Sequence, residues 1–132
     1  MTESSREKSL TCWNAALKKK ASDIVLLKIK GIVSYADYFL LCSGRSDRQV
    51  QAIAQSIESE LGKQGHRLLG IEGRSQGRWV LMDCGDVIVH IFQESVRQFY
   101  DLEGLWIEAP RIDVEHDRRP RNIEKKGKRV TS

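Results

Sequence analysis

Two short stretches of the chain carry residue types that could bind phosphate or metal ions. Ser43-Gly44-Arg45-Ser46 stands where a strand is predicted to lead into a helix. The backbone N–H groups of such a turn can cradle a phosphate, as in enzymes that transfer nucleotidyl groups. Those enzymes also need two carboxylates one residue apart on a later strand, to hold two metal ions. The only close acidic pair after that helix, Asp83 and Asp86, is separated by a predicted turn, so we predict no enzymatic activity and no cofactor.

Histidine and cysteine are the other residues that could do chemistry. His90 lies inside the apolar run 87–92, where a histidine is typically hydrogen-bonded as part of the structure. His66 and His116 fall in a predicted loop and in the C-terminal tail. Three cysteines are present and form no C-x-x-C pair: Cys12, Cys42 and Cys84. The pattern predicts reduced, packed thiols in a cytoplasmic protein and no metal site.

Large aromatic and charged residues are concentrated between residues 79 and 106. Trp79, Arg97, Tyr100 and Trp106 lie near the last predicted strands and helix. Aromatic residues often anchor a core, but Arg, Tyr and Trp are also enriched at the hot spots of protein interfaces. The residues alone leave both interpretations open.

The predicted elements around this segment are two strands and a helix. Residues 79–82 and 87–92 are apolar runs, joined by the turn formers of 83–86, which favours a hairpin. The period then changes to three and four residues, which predicts a helix that begins near Glu94.

The preceding residues predict three more strands and two helices. One helix fills the first twenty residues, and strands are predicted at 24–29, 35–42 and 67–71. Ser46 and Gln49 match a capping box at the start of the second helix. Apolar residues recur along that helix at helical spacing: Val50, Ile53, Ala54, Ile57 and Leu61. The order predicts an α/β fold, a mixed five-stranded sheet packed with helices.

Charge divides the 132 residues into two parts. Residues 1–110 contain 14 Lys+Arg and 14 Asp+Glu, whereas residues 111–132 contain 8 and 4. We predict one folded domain over 1–110 and a basic, disordered tail over 111–132 that could contact the phosphates of RNA weakly. We see no run of the roughly twenty apolar residues that a membrane span needs, so no membrane association is expected.

Several motifs resemble one known family. The residues that carry the resemblance are Glu72-Gly73, 79–83, 85–92, Arg97, Tyr100 and 102–106, with 21–29 and 34–54 before them. This combination resembles the bacterial ribosomal silencing factor family, also called Iojap-like proteins. Lys28 and Cys84 depart from the family pattern, and the residues beyond Pro110 lie outside it.

The resemblance implies a nucleotidyltransferase-like fold without catalytic carboxylates. It also implies a translational repressor that binds ribosomal protein fourteen of the large ribosomal subunit, blocks joining with the small subunit and forms a homodimer when free. A nucleotidyltransferase-like enzyme or a direct rRNA-binding module is the alternative. With the resemblance, eight residues are predicted to bind the partner: Trp79, Asp83, His90, Arg97, Tyr100, Leu102, Glu103 and Trp106. The aromatic residues and Leu102 would supply apolar contact, and the charged residues and His90 would supply polar matching.

Overall fold

The helices and strands follow the predicted order. The structure, a computed structural model, describes residues 2–100, 109–112 and 114. Its elements are α1 (Thr2–Lys18), β1 (Ser22–Lys28), β2 (Tyr38–Gly44), α2 (Asp47–Lys63), β3 (Gly70–Glu72), β4 (Trp79–Asp83), β5 (Val87–Gln93) and α3 (Glu94–Tyr100). None of the helices in the described part is both long enough and apolar enough to cross a membrane.

The five strands form one mixed sheet in the order β1-β2-β5-β4-β3. Only β2 and β5 are parallel, and every other neighbouring pair is antiparallel. After β2 the chain crosses through α2 to the far edge and returns by two hairpins, β3–β4 and β4–β5. The predicted α/β class with a mixed five-stranded sheet is confirmed. β2 is buried at every position, as expected of a strand in the interior of a sheet.

Side chains alternate along the strands, and this gives the sheet two unlike faces. We call the first the helix-covered face, because α1 and α2 pack on it. Its residues on β4 and β5 are fully buried: Val80, Met82, Val87, Val89 and Ile91. We call the second the aromatic face, and it carries Phe39, Trp79, His90 and Phe92.

α1 packs through a stripe of small residues. The spacing of Leu10, Trp13, Ala16 and Leu17 in the sequence predicts one apolar stripe on this helix, but Leu17 is 44% exposed, so the prediction is wrong at that residue. Ser9, Cys12 and Ala16 are each fully buried at helical spacing. Such side chains allow α1 to approach α2 so closely that Ser56 Oγ donates to Ala15 O at 2.9 Å.

α2 confirms its predicted stripe and part of its predicted cap. Val50, Ile53, Ala54, Ile57 and Leu61 are all buried. Ser46 Oγ accepts a hydrogen bond from Gln49 N at 3.1 Å, which satisfies one free donor at the helix N-terminus. The Gln49 side chain does not return to Ser46 N as a full capping box would. Its Oε1 accepts from Arg45 N instead, at 2.7 Å.

The three cysteines are free and buried in the core. Burial raises the pKa of the Cys42 thiol to about 12, so this thiol stays protonated at neutral pH. Cys12 lies beside Cys84, and the hydrogen bond between the two thiols raises the Cys12 pKa further than burial alone. These environments make packed, unreactive thiols.

A short C-terminal segment runs antiparallel to β1. Lys28 N donates to Pro110 O at 2.9 Å, and Ile112 N donates to Leu26 O at 2.8 Å. Val114 is 2% exposed and belongs to the core. Residues 111, 112 and 114 therefore pack with the domain, although the prediction assigned them to the tail. Where the domain ends stays a prediction, and the rest of the predicted tail lies outside the described residues.

Candidate functional site

The pairing of β4 with β5 creates the aromatic face. Trp79 lies opposite Phe92, Leu81 opposite His90, and Asp83 opposite Ile88. All six side chains project to the same side of the sheet, because residues directly paired across strands share a face. The structure thus brings three predicted site residues together: Trp79, Asp83 and His90.

Trp79 and His90 are joined directly. Trp79 Nε1 donates to His90 Nδ1 at 3.2 Å, and the ring centroids are 6.1 Å apart. A histidine that accepts at Nδ1 is neutral and carries its proton on Nε2. The hydrogen bond therefore assigns the tautomer of His90 and fixes the indole plane.

Further rings extend this pair across the sheet. Phe92 lies 5.1 Å from Trp79 and stacks on His90 at 6.0 Å, and Phe39 meets His90 edge-on at 5.5 Å. Tyr35, which precedes β2, lies 6.3 Å from Phe39 and is 61% exposed. The aromatic face is therefore a continuous chain of rings that is buried at its centre and exposed at Tyr35.

His90 has a structural environment. It is 7% exposed, and burial lowers the pKa of its imidazole to about 4. The ring is neutral at pH 7 and is enclosed by aromatic neighbours, with no nucleophile among its contacts in the described part of the chain. The arrangement suits the positioning of Trp79 rather than acid–base chemistry.

Half-buried apolar side chains and carboxylates surround Trp79. Leu81 and Ile88 are half-buried on the same face, although neither was among the predicted site residues. Asp83 and Glu72 add negative charge at the β3 side, since Glu72 pairs with Leu81 across β3 and β4. Asp83 Oδ1 also accepts from Gly85 N at 3.0 Å, which holds the hairpin turn. The surface is apolar at its centre and acidic at one edge.

Arg97 lies apart from this surface. It is 9% exposed, and its Nη1 donates to Asp23 O at 2.6 Å and to Ser43 Oγ at 2.9 Å. Asp23 has a φ of 48°, in the left-handed region, where the β1–β2 register is irregular. Arg97 thus ties α3 to this irregular part of the sheet.

Packing accounts for the turn that resembled a phosphate cradle. A Cβ on Gly44 would lie 3.1 Å from Val50 Cγ2 and 3.2 Å from Val50 N, so the glycine lets β2 meet α2 closely. Ser43 is buried, and its hydroxyl is bound by Arg97. Asp86 of the acidic pair accepts from Lys8 Nζ at 3.0 Å. Within the described residues, no group of three or more His, Cys, Asp or Glu side chains could hold a metal ion.

Comparison with known proteins identifies the family. The model of the family described as "Ribosomal silencing factor during starvation" matches residues 2–132. The chain belongs to this family. It is 47% identical over 102 residues to the ribosomal silencing factor of Halalkalibacterium halodurans, an alignment that covers 77% of this chain and 87% of that one.

Two further similar proteins extend the comparison. A crystal structure of a protein from Chromobacterium violaceum superimposes with a TM-score of 0.76 at 37% identity, covering 77% of this chain and 85% of that one. A more distant mouse protein is named "Mitochondrial assembly of ribosomal large subunit protein 1". It is 28% identical over 92 residues, which are 67% of this chain and 40% of that one. Membership confirms the resemblance and indicates a regulator of translation that associates with the ribosome.

The remaining predicted site residues stand at the end of α3 or follow it in the sequence. Tyr100 ends α3, and its side chain lies outside the described residues, as do Leu102, Glu103 and Trp106. Strand alternation could have identified Leu81 and Ile88, because each stands two residues from a predicted site residue. Tyr35 carried no comparable signal, since it precedes β2 in an irregular segment.

Proposed function

We propose that the chain represses translation by binding the large ribosomal subunit through its ribosomal protein fourteen and by excluding the small subunit. The family description, ribosomal silencing factor during starvation, supports a ribosomal target. The name of the mouse relative refers to the ribosomal large subunit, which favours that subunit as the partner.

The aromatic face is the proposed docking surface. It places half-buried Trp79, Leu81 and Ile88 beside the carboxylates of Asp83 and Glu72. Interfaces commonly combine an apolar, aromatic centre with a polar rim. An acidic rim would attract and orient a basic partner such as a ribosomal protein. This juxtaposition of Trp79, locked by His90, with an acidic rim is the observation on which the surface assignment rests.

The proposed mechanism is steric exclusion. A bound domain prevents subunit joining wherever its volume overlaps the incoming particle, and this requires no catalytic step. The inhibition then depends only on how much of the large subunit is occupied. We therefore propose a non-enzymatic protein, consistent with the structural roles of Ser43, Asp83 and Asp86 described above.

The proposed residue roles follow from burial. Trp79 and Leu81 make apolar contact, and Asp83 supplies charge at the rim. His90 is too buried for much direct contact and acts by fixing the Trp79 ring. Arg97 likewise acts as a positioning residue through Ser43 and Asp23. Four further proposed contacts rest on the family resemblance: Tyr100, Leu102, Glu103 and Trp106.

A matched pair of leucine substitutions tests the surface. Leu81→Lys places a cation at the centre of the aromatic face, whereas Leu17→Lys makes the same change on exposed α1, on the other side of the sheet. We expect Leu81→Lys to weaken co-sedimentation with isolated large subunits at least 30-fold, which corresponds to about 2 kcal/mol at an interface hot spot. Leu17→Lys should bind as the wild type does.

The same variants test the mechanism in a subunit-joining assay. Wild-type protein and Leu17→Lys should reduce the fraction of paired ribosomes on sucrose gradients, and Leu81→Lys should not. Circular dichroism and thermal melting would establish that both variants are folded. Binding by folded Leu81→Lys at wild-type affinity would refute the surface, and stable association with fully paired ribosomes would refute exclusion.

The oligomeric state and location of the chain are proposals from the family resemblance. We propose a homodimer in the absence of the ribosome and action in the cytoplasm, where bacterial subunits join. Sedimentation equilibrium at micromolar concentration should yield about twice the chain mass of 15.1 kDa. A single-chain mass throughout the concentration range would exclude the dimer.

A further inference from the structure

A groove runs along the surface of α2 that faces away from the sheet. Two adjoining depressions form it, with volumes of about 390 and 420 Å³. Both are lined by Ala52 and Gln55, so the small side chain of Ala52 lies where they meet. The result is one elongated surface groove across the helical side of the domain, and its lining mixes polar and apolar atoms.

Basic residues are concentrated along this groove. Lys18 and Lys19 line one depression, and Arg48 and Arg74 line the other. Seven cations belong to this side of α2 or flank it: Lys18, Lys19, Lys20, Arg45, Arg48, Lys63 and Arg74. Three acids accompany them: Asp47, Glu58 and Glu60. The other residues between 5 and 98, whose side chains the structure describes, hold seven cations and seven acids, so the excess positive charge of this part of the chain lies along the groove.

Gln49 links the lysines that follow α1 to the arginines at the start of α2. Its Nε2 donates to Lys19 O at 3.0 Å and to Lys20 O at 3.1 Å, and its Oε1 accepts from Arg45 N at 2.7 Å. One side chain thus joins the turn after α1, where the lysines lie, to the start of α2, where the arginines lie. The clustering is built into the junction of the two helices.

Four of the clustered cations are available to a partner. Lys18 pairs with Glu60 at 2.9 Å and Arg74 with Glu58 at 2.7 Å. The side chains of Lys19, Lys20, Arg45 and Arg48 are exposed, and none has an ion-pair partner within the part of the chain that the structure describes. We call these four the Gln49 cluster. The positive end of the α2 dipole strengthens the potential at this position.

We propose that the Gln49 cluster and the adjoining groove bind the phosphate backbone of RNA. Lys and Arg contacts to phosphate dominate the affinity of proteins for nucleic acids. The groove is elongated and its lining includes Gln51, Gln55 and Ser59, which can contact phosphate and sugar oxygens. It lacks the aromatic side chains that mark protein interfaces, whereas the opposite side of the sheet has them. The inference goes beyond the proposed function, because it assigns a second surface to a second class of partner.

Charge removal at the cluster is the direct test. The variant Lys19→Gln/Lys20→Gln/Arg45→Gln/Arg48→Gln is compared with Lys28→Gln/Lys30→Gln/Arg67→Gln/Arg78→Gln, which removes four exposed cations elsewhere. Binding of full-length protein to protein-free large-subunit ribosomal RNA is measured from 50 to 300 mM salt. We expect the cluster variant to bind at least 10-fold more weakly at 100 mM salt. The binding constant of the wild type falls as salt rises, and each phosphate contact contributes roughly 0.7 to 0.9 to the slope of log K against log salt. Loss of four contacts should therefore make this slope shallower by about 3.

The control variant bears the same net charge and the same C-terminal tail. It should lose less than 3-fold in affinity, with a slope close to that of the wild type. Equal losses in the two variants would overturn the proposal, because they would show that net charge alone governs binding. Equally tight binding of polyglutamate to the wild type would also overturn it, because the surface would then not select RNA.

Two glutamines offer a test at constant charge. Gln49→Ala removes the hydrogen bonds to Lys19 O, Lys20 O and Arg45 N but changes none of the cationic residues. Gln64→Ala removes the other glutamine that bridges the two helices, whose Oε1 accepts from Thr11 Oγ1 at 2.9 Å. We expect Gln49→Ala to weaken RNA binding about 3-fold and Gln64→Ala to leave it unchanged, at similar thermal stability. Unchanged RNA binding in folded Gln49→Ala would contradict the positioning role of Gln49.

The proposals for the RNA surface and for the protein-docking surface can be refuted separately. The cluster variant should bind isolated ribosomal protein fourteen, free of RNA, with wild-type affinity, whereas Leu81→Lys should not. Conversely, Leu81→Lys should retain binding to protein-free RNA. If Leu81→Lys proved neutral towards ribosomal protein fourteen, the proposed function would fail while the RNA result would still stand.

Discussion

The two faces of the sheet use apolar residues differently. On the helix-covered face Val80, Met82 and Val89 have no exposed surface, because α1 and α2 cover them. On the aromatic face the neighbouring Trp79, Leu81 and Ile88 remain half-buried. The same two strands therefore supply a closed core on one side and a partly exposed apolar surface on the other.

This difference separates residues that stabilise the fold from residues available to a partner. Burial contributes roughly 25 cal/mol for each Å² of apolar surface removed from water. The residues of the helix-covered face contribute this free energy fully on folding, because no apolar surface remains exposed. The half-buried residues of the aromatic face can contribute more when a partner covers them. Contiguous, partly exposed apolar surface rimmed by polar groups is typical of interaction sites.

Substitution of the adjacent residues Met82 and Leu81 gives the largest expected effect. Met82 is fully buried and faces α1 and α2, whereas Leu81 is half-buried on the aromatic face. We expect Met82→Ala to lower the free energy of unfolding by about 3 kcal/mol, through lost burial and the cavity left behind. Leu81→Ala should cost less than about 1.5 kcal/mol but should weaken large-subunit binding. Urea unfolding and co-sedimentation measure the two effects.

The two substitutions also test whether the faces have separate roles. If Leu81→Ala cost as much unfolding free energy as Met82→Ala, Leu81 would belong to the buried cluster that Phe39, Leu41 and Phe92 form on this side, and not to a docking surface. If Met82→Ala, at temperatures where it is folded, also abolished binding, the two faces would not act separately.

Arg97 tests a buried polar residue on the aromatic side. Arg97→Ala leaves Ser43 Oγ and Asp23 O without the guanidinium that now binds them. We expect a loss of about 2 to 3 kcal/mol in unfolding free energy, the range for hydrogen bonds to charged groups. The folded fraction should retain its affinity for the large subunit within 3-fold. A much larger loss of affinity, with stability unchanged, would mean that Arg97 contacts the partner directly.

The sequence predicted most elements because their periods are local. The α2 stripe and the apolar runs of β4 and β5 are visible without tertiary contacts. The prediction of the buried face of α1 was partly wrong because that face contains Ser9 and Cys12. A pattern based on large apolar residues does not identify such small side chains as buried. Small residues are buried there by the close approach of the helices, which the sequence of one helix does not reveal.

The candidate site was predictable where it follows strand alternation. Trp79, Asp83 and His90 share a face because β4 and β5 form a regular hairpin. The position of Arg97 was not predictable, since its acceptors are a serine 54 residues away and a backbone carbonyl 74 residues away. The concentration of cations around Gln49 also depends on tertiary structure, because α1 and α2 bring these cations together.

The pH dependence of stability tests the polar residue at the centre of the aromatic face. Burial lowers the pKa of His90 to about 4, from the ordinary histidine value of 6.5. Between these values the unfolded chain takes up a proton that the folded chain does not, so stability is retained above pH 6.5 and is lost as pH falls towards 4. From pH 7 to pH 5 this contribution should lower the unfolding free energy by about 2 kcal/mol.

His90→Leu isolates this contribution, because the variant removes the titrating group from a buried position. We expect urea unfolding of His90→Leu to lose about 2 kcal/mol less than the wild type between pH 7 and pH 5. His66→Asn, a substitution outside the core, serves as the control and should follow the wild type. Identical pH profiles for His90→Leu and the wild type would mean that His90 is not held neutral in the folded protein.

The N-cap of α2 should give the smallest effect and concerns the helix-covered side alone. Ser46→Ala removes the acceptor of Gln49 N, and loss of an N-cap side chain typically costs about 1 kcal/mol. Ser59→Ala, an exposed serine in the interior of the same helix, should change the unfolding free energy by less than 0.5 kcal/mol. Because the docking surface lies across the sheet, Ser46→Ala should bind ribosomal protein fourteen as the wild type does. Loss of that binding would show that the aromatic face depends on the α2 N-terminus, and the two sides of the sheet would then have to be treated as one coupled surface.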